Sequence, residues 1–324
     1  MNVDDVLATV FEELGALNRP ILVVALRGWF DAAEVATDAL NHLVAERGGT
    51  IVAAIDPDPF FDFTQERPLV VFDDAELRSV QWPTNEFRIA RFPDKSHDLV
   101  VLAGVEPHLR YGTFADCIIA VAQQLRCEVV VTVGAAAEPV PHSRVPLVVG
   151  SSTNNGLVKA LGLSRPQYQG ITGLVGVLQA RLDQAAIPAV SLRVGVPHYL
   201  GNAKHPQSSM ALLRHLEHVL GVPTGHDSLT EEAMRWRSLH DEAVAEDPQA
   251  ATYVTMLESD YDRRAEALMP SADDLAEEFE RFLRSQRNPE PPPTSDPPAS
   301  DPPASDPPAS DLPASDLPDS DPPA

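Results

Sequence analysis

The chain has 324 residues, and its 48 acidic side chains outnumber the 24 basic ones to give a formal net charge of −24. Such an excess repels nucleic acid and anionic membranes, so neither is expected as a partner. The charge is uneven: residues 1–223 hold 24 acids against 17 bases, residues 224–287 hold 16 acids against seven arginines, and residues 288–324 hold eight acids and no base.

The N-terminal Met1–Gly15 stretch is acidic and amphipathic and lacks the basic region of a signal peptide. No apolar run reaches the roughly 20 residues of a membrane span, and a cytoplasmic location is expected. Cys117 and Cys127 are the only cysteines, fall on and just after one expected helix, and are read as reduced thiols.

Apolar runs predict strands at Ile21–Leu26, Thr50–Ile55, Phe87–Phe92, Leu99–Ala103, Val129–Val133, Leu147–Val149 and Val190–Val196. Several are continuous rather than alternating, as in strands covered on both faces. Helical periodicity fills many of the gaps. Asp31 to Arg47 carries an Asp-x-x-Glu capping box (Asp31, Glu34) and stops at Gly48. Thr113 to Arg126, Gly173 to Ala186 and Pro206 to Leu220 follow the same logic. The aromatic and proline-rich stretch 57–83 breaks the rhythm and suggests an antiparallel excursion or a lid. The expected fold is α/β, with a mainly parallel sheet flanked by helices, over residues 1–223.

After Gly221 three amphipathic helices are expected. Their start signals are Ser228 with Glu231, Asp247 before Pro248, and Ser271 with Asp274. Residues 224–287 thus read as a helical extension, with Tyr253, Leu257 and Tyr261 at helical spacing, as are Leu275, Phe279 and Phe282. From Ser295 the unit Ser-Asp-Pro-Pro-Ala recurs every five residues, and 14 of the 31 prolines follow Asn288. With so little to bury, residues 288–324 are expected to be a disordered, locally polyproline-II tail.

No stretch carries a complete catalytic or metal-binding pattern. Gly150-Ser151-Ser152 lacks the second glycine of a nucleophile elbow, and serine capping of a helix at 154–161 explains it. Asp56, Asp58 and Asp62 are separated by prolines that no calcium loop accepts, so turn formation is the simpler role. His142, His198 and His205 show no ligand spacing and read as loop histidines bonded to backbone. No metal and no cofactor is indicated.

A looser set remains. Trp29 and Phe30 form a bare aromatic pair after the first buried strand, where open α/β sheets meet ligands and partners. Asp62, Arg67, Glu106, Arg110 and His198 lie in loops after strands, where they fix loops as ion pairs or line a pocket or an interface.

Several stretches, in order along the chain, resemble the PAC2 (proteasome assembly chaperone 2) family in its actinobacterial branch. They are Gly28-Trp29-Phe30-Asp31-Ala32, Phe61-Asp62-Phe63 with Arg67-Pro68, Trp82-Pro83, and Gly104-x-Glu106-Pro107 with Arg110. Pro141-His142-x-Arg144-x-Pro146, Tyr168-x-Gly170-x-Thr172-Gly173 and Val196-Pro197-His198-Tyr199 follow. The resemblance implies a phosphorylase/hydrolase-like core, self-association into a homo-oligomer, and binding of protein partners such as proteasome subunits without catalysis. Archaeal and eukaryotic relatives dock a C-terminal hydrophobic-Tyr-x tail. This chain reads Asp321-Pro322-Pro323-Ala324 at that place, so docking of that kind is not expected. The alternative is an enzyme on the same scaffold acting on a small polar metabolite. It requires Asp62, Arg67, Glu106, Arg110 and His198 to converge in one pocket.

Overall fold

The computed structural model of the chain describes residues 1–11, 14–72, 77–201 and 203–268. The expected third helix around Ser271 and the proline-rich tail lie outside the described residues.

Every strand expected from an apolar run is present. They are β2 (Ile21–Arg27), β3 (Thr50–Ile55), β6 (Asn85–Ala90), β7 (Leu99–Val105), β8 (Val129–Glu138), β9 (Val148–Ser151) and β10 (Ala189–Pro197), joined by the short β1 (Leu7–Thr9). These form one eight-stranded sheet in the order β1-β3-β6-β7-β2-β8-β10-β9. Its centre, β7-β2-β8-β10, is parallel, whereas β6 and β9 border that centre in antiparallel pairing. The excursion at 57–83 is a separate two-stranded antiparallel hairpin, β4 (Leu69–Phe72) and β5 (Arg78–Gln81).

Among the described residues, seven α-helices accompany the strands: α1 (Val35–Arg47), α2 (Tyr111–Gln124), α3 (Asn155–Leu161), α4 (Leu174–Gln184), α5 (Pro206–Leu220), α6 (Thr230–Glu246) and α7 (Pro248–Leu268). Strand β2 shows why its sequence is continuously apolar. Leu22, Val24 and Leu26 join a core with Phe114 and Ile118 of α2 and Leu174 and Leu178 of α4. Ile21, Val23 and Ala25 join another with Val35, Leu40 and Leu43 of α1 and Leu212 and Leu216 of α5. Both faces are therefore dry, and each fully buried Leu or Val contributes roughly 1.5–3 kcal/mol. Met1–Ala267 form one compact unit, so α6 and α7 pack with the α/β body.

Two local expectations are corrected. The capping box at Asp31 does not form, because Ala33 and Glu34 take left-handed conformations (φ 55° and 58°) and break the first turn. The Asp31 carboxylate instead accepts from the Ala36 and Thr37 amides and the Thr37 hydroxyl, at 2.7, 3.1 and 2.6 Å. Asn154, not a serine, caps α3 by accepting from the Gly156 and Leu157 amides. Ser152 donates to the Ala189 carbonyl from a buried position. Both cysteines are free, and burial pushes their thiols up to about 11 and about 12.

Candidate protein-contact surface

Strands β2 and β7 are parallel neighbours with Arg27 opposite Val105, so the loops that follow them emerge side by side. The chain then leaves β2 for α1 on one face of the sheet and β7 for α2 on the other. Such a divergence makes the crevice in which open α/β sheets hold ligands. Here a side chain of the chain itself sits between the loops. Glu106 Oε2 accepts the Trp29 amide and Oε1 the Leu174 amide, both at 2.6 Å. The fit is close: a Cβ on Gly28 would lie 2.5 Å from Oε2, and one on Gly173 would lie 2.4 Å from Oε1. Because Leu174 opens α4, the carboxylate also faces the positive end of that helix. Glu106 therefore locks three segments together: the Trp29 turn, the end of β7 and the start of α4.

What this lock presents outward is apolar. Trp29 is 75% exposed although its backbone is pinned, and Ile171, on the loop entering α4, is 84% exposed. Tyr168 on that loop donates to the Ile171 carbonyl at 2.7 Å and is itself exposed. Phe30 turns the other way. Its ring lies on the bare backbone of Gly134, and its carbonyl accepts the Ala135 amide at 2.9 Å. Asp31 is buried behind it, and desolvation raises its carboxyl to about 6 against the three donors that favour the ion.

The remaining sequence candidates divide. Asp62 accepts from the Thr64 amide and hydroxyl and from Gln65, and these bonds hold its carboxyl down at about 2; it is a turn former. Its amide donates to His108 Nδ1, which ties that turn to the loop after β7. Arg67 is exposed and follows Glu66, the ion-pair partner of Arg27 at 2.5 Å. Arg110 is exposed and left-handed (φ 56°) at the start of α2. His198 stands apart, after β10. Its Nδ1 donates to the Glu138 carbonyl at 3.0 Å, and its Nε2 accepts from the Tyr253 hydroxyl at 2.9 Å. Asp62 and Glu106 thus hold backbone, and His198 belongs to a different assembly of side chains. The five do not converge on a shared pocket.

That second assembly escaped the sequence reading. His142, expected to be a loop histidine bonded to backbone, is buried and bonded to side chains. Tyr199 donates its hydroxyl to His142 Nδ1 at 2.6 Å and accepts the His142 amide, while Nε2–H donates to Asp241 of α6 at 3.1 Å. Burial lowers its basicity, and the Asp241 carboxylate partly restores it. Next to it, Ser143 donates to Glu258 of α7, and Arg144 forks onto Asp262 at 2.9 Å through Nε and Nη2 and onto Glu258 at 3.1 Å through Nη1. The Tyr261 hydroxyl donates to the Val145 carbonyl at 2.5 Å. The loop after β8 and the turn after β10 therefore grip α6 and α7. Two signals were available: His, Ser and Arg held between Pro141 and Pro146, and two acids four residues apart beside Leu257 and Tyr261 on one helical face.

The family model described as the PAC2 family matches residues 25–244, two-thirds of the chain and nearly all of its α/β body. The chain belongs to the PAC2 family. A PAC2 family protein from Streptomyces avermitilis is 36% identical with a TM-score of 0.68, over 72% of this chain and 99% of that one. A proteasome-assembly chaperone homologue from Mycobacterium tuberculosis is 35% identical with a TM-score of 0.66, again over 72% and 99%. An archaeal proteasome activator from Pyrococcus furiosus, 18% identical with a TM-score of 0.59 over 74% and 98%, shares the fold. No match was found among curated proteins. The family match ends inside α6, so the α7 side of the grip lies beyond it. Among the described residues, no helix is long and apolar enough to cross a membrane.

Proposed function

We propose that this PAC2 chain is a protein-binding assembly factor for proteasome subunits, working as a homo-oligomer in the cytoplasm without covalent chemistry. In this reading residues 1–223 form the platform, residues 224–287 form a helical extension, and the tail from 288 is an accessory. The observation that carries it is Trp29, an open indole on a backbone fixed by Glu106 at the position where an α/β enzyme would hold substrate. Rigid exposed aromatics make strong anchors in interfaces because little side-chain entropy is lost when they are covered. In this reading the exposed Arg67 and Arg110 are counted with the contact residues as rim cations, in keeping with the mixed chemistry of interface cores and rims. A relative 35% identical that is named a proteasome-assembly chaperone homologue supports the choice of partner.

The test is affinity capture from native lysate with quantitative mass spectrometry of proteasome α and β subunits. Wild type should enrich them, and Trp29→Ala should lose at least about tenfold of that enrichment, as for an interface hot spot. Wild type that enriches no proteasome subunit would sink the reading.

A further inference from the structure

Helix α7 lies over the loop after β8 and the turn after β10, at the carboxyl edge where the strands of open α/β sheets receive ligands. The seat beneath it is made of directed donors and acceptors. Ser143 and Arg144 donate to Glu258, Arg144 forks onto Asp262, and His198 Nε2 accepts the Tyr253 hydroxyl at 2.9 Å. Tyr253 also meets the Tyr199 ring edge-on at 6.2 Å. The seat thus reads a pattern on the helix that faces it: carboxylates at i and i+4 (Glu258, Asp262), each preceded by a buried apolar side chain (Leu257, Tyr261).

The hold is selective without being deep. Among the described residues of α7 only Val254, Leu257 and Tyr261 are buried, and Arg144, Glu258 and Asp262 all stay partly open to water. A helix that serves only to stabilise is held by apolar area, which is non-directional. Ionic bonds partly open to water add little stability and mainly select what docks. Helix α7 is also a self-contained unit. It joins α6 through the single extended residue Asp247 (φ −116°, ψ 107°), whose carboxylate caps it by accepting the Gln249 amide at 2.8 Å. On so short a joint the helix meets its seat at an effective concentration on the order of millimolar, so it stays docked at an affinity too weak to hold a free helix. The family match covers every seat residue and stops at 244, before α7. The seat therefore lies in the part of the chain shared with the family, and its occupant does not.

We propose that this seat is a second protein-contact surface, which takes an amphipathic helix of a partner protein with acids at i and i+4 beside an apolar stripe, and that α7 is the resident helix such a partner displaces. The proposal goes beyond the Trp29 reading and stands apart from it, since no seat residue belongs to that patch. A partner helix that buries more apolar surface outmatches the tether, and a helix without the paired acids does not dock.

The probe is a fluorescent peptide of α7 itself, Pro248–Leu268, titrated into the full chain and followed by anisotropy. Wild type should bind it only at roughly millimolar concentration, because its own α7 competes at that level. Glu258→Gln/Asp262→Asn weakens the resident and leaves the seat intact, so this variant should bind the peptide at least about tenfold more tightly. Adding Arg144→Ala should abolish the gain, and a peptide carrying the same two substitutions should show none. A purely structural α7 gives no gain at all, since every one of these changes would only loosen it. A variant that binds the peptide no better than wild type therefore overturns the proposal. So does a gain that survives Arg144→Ala, or one shared by a scrambled peptide of equal charge. A peptide that splits wild-type oligomers into single chains in sedimentation puts a second copy's α7 in the seat, and overturns the assignment to a different protein. Wild type needs no substitution for the last check: excess peptide should speed amide exchange over its own 248–268, and unchanged exchange refutes displacement.

Discussion

Glu106 engages both carboxylate oxygens with backbone amides of two different loops, at 2.6 Å each. Replacing it with glutamine keeps the shape but turns one acceptor into a donor facing an amide. Glu106→Gln should therefore cost about 1–3 kcal/mol of stability, read as a lower denaturant midpoint at unchanged slope. Trp29→Ala should behave in the opposite manner. With its indole open, stability should move by no more than about 0.5 kcal/mol while partner capture falls. Asp31 is the third case at this scale. The Ala36 and Thr37 amides would be stranded in Asp31→Ala, while the Thr37 hydroxyl keeps the Glu34 carbonyl, a loss of about 2–3 kcal/mol by thermal or chemical melting. Its raised pKa has a defined sign. The ion is disfavoured by burial, so this residue's contribution is full below about pH 4 and diminishes as pH rises through about 6.

Among the elements, α7 is attached by polar contacts more than by oil. Val254, Leu257 and Tyr261 are its buried apolar residues, whereas Arg144 and Ser143 donate to its Glu258 and Asp262, the Val145 carbonyl accepts from its Tyr261 and His198 accepts from its Tyr253. Arg144→Ala should loosen α7 by about 1–2 kcal/mol, given that its guanidinium is a third exposed and its bonds are partly screened. Hydrogen exchange should rise over 248–268 and stay unchanged in the central strands. Acid should loosen α6, which carries the Asp241, Trp236 and His240 that face His142 and His205. Burial lowers the pKa of both His142 and His205, so the docked state binds fewer protons than the undocked one. Docking is then full above about 6.5 and weakens as pH falls below it. The groups facing His142 include Asp241 of α6 and Glu258 of α7, which oppose the effect, and His240, which adds to it. Asp262, held low by Arg144, yields only in stronger acid. Exchange over α6 that is flat between neutral pH and pH 5, once corrected for intrinsic rates, would contradict this account.

For the whole molecule, the two-layered covering of the sheet was legible because strands buried on both faces have no polar side to show. Continuous runs such as Ile21–Leu26 and Leu99–Ala103 announced it. The antiparallel flanks were less legible, since β6 reads as one more apolar run and direction is set by the connections around it. The site was legible in its residues but not in its grouping. Trp29, Glu106 and the loop before α4 are far apart in sequence and meet only because β2 and β7 are neighbours. His198 was placed with Glu106 because both follow strands, yet β10 lies two strands from β2 across the sheet. The grip on α6 and α7 was hidden for the same reason: His142 and Asp241 are 99 residues apart, and neither carries a local pattern that names the other.

By itself the sequence determined the element order, the buried strands, most helix limits and the family, because these depend on local periodicity and on ordered motifs. Only the tertiary structure decided that the carboxylate after β7 locks a crevice, that the histidine after β8 bonds to a helix, and that Val70 and Phe72 of the hairpin are exposed. The reason is physical: periodicity records which side of an element avoids water, whereas a partner across a hundred residues is selected by the sheet order that brings two loops together.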